Sequence, residues 1–184
     1  MKLIVAITGA SGVEYGIGLL KTLKEKGVET HLILSEWAEK VIELETDHKV
    51  EEIRKNASFI YSNNDMAAAV SSSSFPIDAM VVVPSTIKTV SEIVHAHTST
   101  LISRCADNML KMKKKLIVCL RETPLSTPTI DNLKKLSIYG AIIMPLSPGF
   151  YGKPKNINDI YNFMIGKILD CLGIENKEYK RWGG

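Results

Sequence analysis

The turn Thr8-Gly9-Ala10-Ser11-Gly12 cuts off an apolar run and is followed at once by a helical pattern. Small residues there leave backbone N–H groups free to face an anion, and Ser11 adds a hydroxyl. The same composition also suits a plain tight connection with Ser11 as helix cap, and this stretch alone does not separate the two. Other apolar runs end on residues with comparable chemistry. They end on Ser35, on Pro84-Ser85-Thr86-Ile87-Lys88-Thr89, on Arg121-Glu122-Thr123-Pro124 and on the segment Pro145 to Tyr151. Hydroxyl-rich edges of this kind, converging, imply a ligand that carries at least one phosphate. TGASG has glycines only at 9 and 12, so it is not GxGxxG, and no Lys follows Gly12 to make a P-loop. Ser35 stands where an acidic residue would hold a dinucleotide ribose. A mononucleotide such as FMN fits better than NAD or ATP.

The elements that must position these residues read clearly. Leu3–Ile7, Thr30–Leu34, Ala79–Val83, Leu116–Leu120 and Ala141–Met144 are nearly continuous Val/Ile/Leu runs, as strands buried on both faces of a parallel sheet are. Between them lie helical patterns. Residues 13–26 carry Val13, Ile17, Leu20 and Leu23 on one stripe and stop at Gly27, and residues 36–45 carry Trp37, Val41 and Leu44. The stretch from Thr86 to Met112 predicts two helical pieces broken near His97-Thr98-Ser99. Asp131–Ile138 and Ile157–Leu172 complete the set, ending at Gly140 and Gly173. Strands alternating with helices predict an α/β fold of Rossmann-like or flavodoxin-like type, an open parallel sheet with helices on both faces. Ligands of such folds bind outside the carboxyl ends of the strands. The serine run at 71–74 reads either as a flexible loop or as a polar loop at the site.

At 184 residues the chain is most simply one domain, 1–184, and can bury a core without disulfides or metals. With 45% hydrophobic and 23% charged residues it has an ordinary globular composition. A net charge of +3 gives no argument for nucleic acid, and the basic run 111–115 reads as a solvated face. Cys105, Cys119 and Cys171 have neither the even number nor the spacing of a disulfide or zinc framework. No signal-peptide pattern and no spanning segment of about 20 apolar residues is seen, so the expected compartment is cytoplasmic. The four histidines, at 31, 48, 95 and 97, read as core or surface residues, since 95 and 97 face different ways on a helix. No metal is expected. Trp37 reads as core or as a subunit contact.

One combination of motifs goes further. GASG near the N-terminus, TIKT (86–89), RxADxxLK (104–111), RETPL (121–125), PGFY (148–151) and RWG (181–183) occur in that order along the whole chain. In this the chain resembles the UbiX/Pad flavin prenyltransferase family. The resemblance implies transfer of a dimethylallyl group from dimethylallyl phosphate to N5 and C6 of reduced FMN. The product would be the prenylated flavin used by a separate UbiD-type decarboxylase. It also implies a homododecamer with sites at subunit interfaces, and a C-terminal tail, 174–184, that contributes to the site.

By the same resemblance, flavin-binding positions fall on Gly9, Ala10, Ser11, Ser35, Thr86, Ile87, Lys88, Thr89 and Arg121. The dimethylallyl phosphate pocket falls on Tyr151 and Lys167, with Arg104 and Lys111 as further phosphate-contacting cations. Glu122 matches the family's acid–base glutamate and Glu45 a further carboxylate of the pocket. The chemistry asks for such groups, because a departing phosphate needs fixed cations and donors. Trp182 would offer an aromatic face to an allyl cation or to flavin, or else anchor a loose tail. By itself Arg121–Glu122 reads as a solvated strand-end pair; within RETPL it reads as functional. The chain departs from the family pattern at Ser85, where Cys is common, and at Lys167, where Arg is common. Lys keeps the charge but loses the bidentate grip. Two other classes compete. An FMN-binding accessory subunit without turnover would keep TGASG and TIKT but lose Glu122, Lys111 or Tyr151. A flavin-dependent cysteine decarboxylase would need an early catalytic His and an Asn-Met motif, and neither is found.

Overall fold

A computed structural model describes residues 1–183; Gly184, the last residue of the expected tail, lies outside the described residues. Six strands, β1 (Lys2–Ile7), β2 (Glu29–Leu34), β3 (Phe59–Ser62), β4 (Ala79–Ser85), β5 (Lys115–Leu120) and β6 (Ile142–Ile143), form one sheet. Their order is β3-β2-β1-β4-β5-β6 and every pairing is parallel. The connecting helices are α1 (Glu14–Glu25), α2 (Glu36–Glu45), α3 (Val50–Arg54), α4 (Ile87–Val94), α5 (Leu101–Lys111), α6 (Thr127–Ile138) and α7 (Ile157–Leu172).

The two-residue period of β1 divides the core. Leu3, Val5 and Ile7 pack with Ile17 and Leu20 of α1, Ala38 and Ile42 of α2, and Ile165 and Ile168 of α7. Ile4 and Ala6 point the other way, toward Val90 and Ile93 of α4, Ile102 and Cys105 of α5, and Leu136 of α6. The result is a three-layer α/β fold, helices on both faces of a parallel sheet, and of the two expected types its strand order is the Rossmann-like one. Its chain reverses direction between β1 and β4, which opens a crevice at their carboxyl ends.

Most elements follow the expected pattern, and four details differ. The segment Val50–Ser62 holds a short helix and an edge strand that hydrophobic patterning does not reveal, because Phe59 and Ile60 are exposed. Helix α6 starts at Thr127, not at residue 131: Ser126 caps it by accepting from the Thr129 N–H, and Pro128 sits in the first turn. The last strand shrinks to two residues. The inward stripe of α2 is Ala38 and Ile42, so Trp37 is not core: it is 67% exposed.

Cys105 and Cys119 are buried, and burial pushes the Cys105 thiol up to about 12 and that of Cys119 higher still, so neither is a nucleophile at neutral pH. His31, 1% exposed, stacks on Phe59 at 4.8 Å and bonds Tyr61 Oη at 3.0 Å and Glu29 Oε1 at 3.1 Å. Burial depresses its pKa below the ordinary 6.5, against the opposing pull of Glu29. The unfolded chain therefore binds more protons than the native state once the pH falls below about 6.5. Stability is full above that value and declines as the pH drops toward the depressed pKa. Thermal melts between pH 7 and 5 should show this loss, and His31→Gln should flatten it.

Candidate functional site

The carboxyl edge of the sheet carries the chemistry. Strand ends follow one another as Asn63 beyond β3, Ser35 beyond β2, Thr8 and Gly9 beyond β1, Thr86 beyond β4 and Arg121 beyond β5. A cleft of about 400 Å³ lies at the switch point, lined by Thr8, Gly9, Ser35, Trp37, Asn63 and Thr86 to Thr89. Six of the nine expected flavin positions thus face one space: Gly9, Ser35, Thr86, Ile87, Lys88 and Thr89. Ala10 is buried just behind it, and Ser11 continues the same turn.

Two helices begin on this cleft. Ser35 caps α2, its Oγ accepting from Ala38 N–H at 3.1 Å, and Thr86 caps α4 in the same way through Thr89 N–H, also 3.1 Å. The two N-terminal ends direct their partial positive charge into one crevice. Capping and anion binding are therefore not alternatives here, since the hydroxyls that cap also line the cleft. Ser11, however, does not cap α1: that helix begins after Val13 without a side-chain cap. Gly12, with φ +89°, makes the turn, and its N–H donates to Glu45 Oε2 at 2.8 Å. Glu45 thereby ties the end of α2 to the TGASG turn. Gly9 is needed for a different reason, because a Cβ there would lie 2.4 Å from the Cβ of Trp37.

Thr8 holds the crevice together. Its hydroxyl donates to Pro84 O at 2.8 Å and accepts from Thr86 N–H at 3.0 Å, bridging the two strands at the switch point. Thr8→Val keeps the shape, and Pro84 O keeps the Thr8 backbone N–H at 3.2 Å, but the part-buried Thr86 N–H loses its partner. We expect a loss of about 1–3 kcal/mol, read as a melting temperature lower by roughly 2–4 °C per kcal/mol for a chain of this size.

Beyond β5 the Arg121 N–H donates to Ser85 O at 3.2 Å, which sets Arg121 beside the Thr86 cap. Arg121 and Glu122 line a second cleft of about 400 Å³ with Leu125 and Pro145 to Ser147. The Glu122 carboxylate caps its own turn by accepting from Thr123 N–H at 3.0 Å. Of the expected allyl phosphate residues, Tyr151 and Trp182 meet, while Lys167 on α7 lies against Tyr179. Tyr151 meets Trp182 edge to face at 5.3 Å, and Lys167 Nζ lies 5.8 Å from the ring of Tyr179.

Arg104 and Lys111 are placed elsewhere. Both lie on α5, which packs on the sheet face opposite to α7. The start of α5 bonds to Asn63 at the cleft: Leu101 N–H donates to Asn63 O and Ile102 N–H to Asn63 Oδ1. From there α5 runs to the far edge of the sheet, so Lys111 stands about 15 Å further along the helix axis. Arg104 Nε donates to Ser71 O at 3.1 Å and Lys111 pairs with Asp107 at 2.9 Å. Within one chain these two cations do not meet Tyr151 or Lys167. The serine run at 71–74 thus packs against α5, away from the cleft.

The sequence reading names Thr8 only as part of the turn, gives Trp37 no place at the cleft and does not single out Asn63. Asn63 follows a strand too exposed to be recognised, and of the two readings of Trp37, core or subunit contact, its exposure removes the first. Among the described residues no cluster of three His, Cys, Asp or Glu side chains is placed to hold a metal ion, and no helix is long and apolar enough to cross a membrane.

A crevice flanked by two helix N-termini at the switch point of a doubly wound parallel sheet is the form nucleotide-binding α/β proteins take, and comparison narrows the class. Residues 1–169 match the flavoprotein family model. The flavin prenyltransferase UbiX of Methanocaldococcus jannaschii is 48% identical over 183 residues, covering 100% of this chain and 99% of that protein. Two solved structures superpose over the full chain. AnUbiX (PadA1) in complex with FMN and dimethylallyl pyrophosphate has a TM-score of 0.98 at 42% identity, with 97% of its chain covered. A dodecameric FMN-dependent UbiX-like decarboxylase of Escherichia coli O157:H7 has a TM-score of 0.97 at 40% identity, with 100% covered. The chain belongs to the UbiX flavin prenyltransferase family.

Proposed function

We propose that this protein is a flavin prenyltransferase, joining the dimethylallyl group of dimethylallyl phosphate to reduced FMN. The observation that carries this reading is the crevice at the switch point, where two capped helix N-termini and the TGASG turn face one cleft beside Arg121 and Glu122. FMN fits that cleft on three counts. The helix ends and Thr or Ser hydroxyls suit a phosphate, and the exposed indole of Trp37 gives an apolar wall. The edge from Ser35 to Arg121 spans three strand spacings, about 14 Å, room for an extended mononucleotide. The holding residues are Gly9, Ala10, Ser11, Ser35, Thr86, Ile87, Lys88, Thr89 and Arg121.

Reduced FMN supplies the nucleophilic positions N5 and C6. The residues of this chain do the rest. In the transfer the allylic carbon–oxygen bond would break with its electron pair leaving on phosphate, a bond to N5 would form and the N5 proton would be released; ring closure would then add one proton to the allyl double bond and remove one from C6, with no net release. Fixed donors and cations at the departing phosphate, Tyr151 and Lys167 with Arg104 and Lys111, lower the barrier by stabilising charge that develops only there. Glu122, at the mouth beside Arg121, holds or accepts the proton. Glu45 keeps the TGASG turn in place. Trp182 and Tyr151 offer ring faces to the positively charged allyl fragment.

All four phosphate ligands act together only if they come from different subunits, because α5 and α7 lie on opposite faces of the sheet. This supports a closed homo-oligomer, which we take to be a dodecamer like that of the E. coli relative. Exposed apolar side chains on several elements, among them Leu44, Ile138 and Phe150, suit such burial. The product would serve a UbiD-type decarboxylase.

The test is direct. Protein mixed with reduced FMN and dimethylallyl phosphate should yield, by mass spectrometry, flavin that has gained a five-carbon unit. FMN bound without that adduct would defeat the proposal in favour of an accessory flavin carrier. Lys111→Ala should abolish turnover in the homo-oligomer. Mixed with a Tyr151→Phe variant, it should regain part of the activity, because mixed assemblies contain intact interfaces.

A further inference from the structure

The segment after Gly173 has no regular secondary structure, yet it is pinned to α7 at one carboxylate. Asp170 receives Arg181 through both guanidinium nitrogens, Nη2 at 2.7 Å and Nη1 at 3.0 Å. It also accepts from Tyr179 Oη at 2.6 Å and from Asn176 Nδ2 at 2.8 Å. One turn earlier, Gly166 makes room for the strap: a Cβ there would lie 2.3 Å from Cδ1 of Tyr179, and its carbonyl accepts from Asn176 Nδ2 at 3.3 Å. Asp170 and Gly166 are four residues apart, so both lie on one face of α7.

What this seat positions is the unusual part. Tyr179, fixed by its hydroxyl, sets its ring 5.8 Å from Lys167 Nζ and 5.0 Å from the ring of Phe163. Phe163 meets Tyr151 at 5.7 Å, and Tyr151 meets Trp182 at 5.3 Å. A continuous aromatic row thus runs from Lys167 to Trp182, and its first and last rings belong to the strap. An exposed ion pair alone contributes little. Here a forked Arg, a Tyr hydroxyl and an Asn amide saturate one carboxylate, and charge-assisted bonds of this geometry are the stronger class. The Arg181 guanidinium, then the Tyr179 and Asn176 bonds, hold the Asp170 carboxyl down to about 2, so it stays ionised across the working range.

We propose that Asp170 is a positioning residue for the allyl phosphate: by clamping the strap through Asn176, Tyr179 and Arg181, it aims Lys167 and Trp182 into the site. The inference rests on the prenyltransferase reading. It assigns the clamp to recognition of the allyl donor and not of FMN, whose cleft is lined by none of these residues.

Asp170→Ala and Arg181→Gln test it; the second changes only an exposed strap side chain, so the fold cannot be the cause of its effect. In both, the KM for dimethylallyl phosphate should rise about tenfold or more while FMN affinity stays within about twofold. Trypsin should release the strap at Lys177 and Lys180 faster than in the wild type. Asp170→Glu should recover part of the lost KM. Faster strap release with an unchanged KM would overturn the proposal and leave Asp170 a simple anchor. An equal loss of FMN affinity would overturn it as well, pointing to a general disturbance. If the wild type gives no adduct, the function reading fails by itself. Calorimetry of dimethylallyl phosphate binding to FMN-loaded wild type and Arg181→Gln then decides the clamp, with equal or absent binding in both counting against it.

Discussion

Glu122→Gln should lower the rate of adduct formation by about two to four orders of magnitude, the usual range for removing a placed acid–base group, with FMN affinity essentially unchanged. Three features support so large an effect. Glu122 lies beyond the end of a buried strand, next to Arg121, whose backbone is tied to Ser85 beside the proposed flavin cleft. Its carboxylate accepts from the Thr123 N–H, which fixes its direction and which the amide oxygen of Gln can still accept. Gln therefore keeps shape and contact and removes only the ability to take a proton. Single-turnover mass spectrometry with preloaded FMN separates this from a binding defect. Product at the normal rate would remove Glu122 from the proton-handling role. Uncyclised adduct accumulating in the variant would place its action at the second bond.

Gly9→Ala should have the largest effect on flavin binding, about 10- to 100-fold weaker, or roughly 1.4–2.8 kcal/mol. The added methyl would meet the Cβ of Trp37 at 2.4 Å and its backbone carbonyl carbon at 3.1 Å. Neither is the flexible end of a side chain, so the start of α2 must move away from the turn. That motion separates Ser35 and its helix N-terminus from Thr86, the two parts of the proposed phosphate site. Overpacking of this kind costs about 1–3 kcal/mol, so the fold should survive with a lower melting temperature. Flavin fluorescence titration measures the affinity, and unchanged binding would mean that TGASG is only a tight connection.

Much of this molecule is legible in the residue order. Strands buried on both faces admit little but Val, Ile and Leu, so β1, β2, β4 and β5 stand out, and Gly27, Gly140 and Gly173 end helices where only a left-handed residue fits easily. The strand-end rule then points to Ser35, Thr86 and Arg121 without any knowledge of contacts. The edge strand β3 escapes, because an exposed four-residue strand buries too little to impose a pattern, and Asn63 escapes with it. The stripe of α2 misleads because an assembly surface and a core select the same apolar side chains. Which of the two Trp37 serves depends on how the helix rolls on the sheet.

Residue order also showed hydroxyls and glycines suited to an anion and a glutamate beside an arginine, and the family resemblance added a set of cations for a departing phosphate. Only the tertiary structure decided which of these meet. It joined Gly9, Ser35 and Thr86 across the switch point, because parallel strands bring distant residues to one edge. It sent Arg104 and Lys111 to the opposite layer from Tyr151 and Lys167, because the crossover helices of a doubly wound sheet must cover both faces. It also gave the C-terminal strap a seat at Asp170 and Gly166, where the contact depends on the face of α7 and on no periodicity of the strap itself.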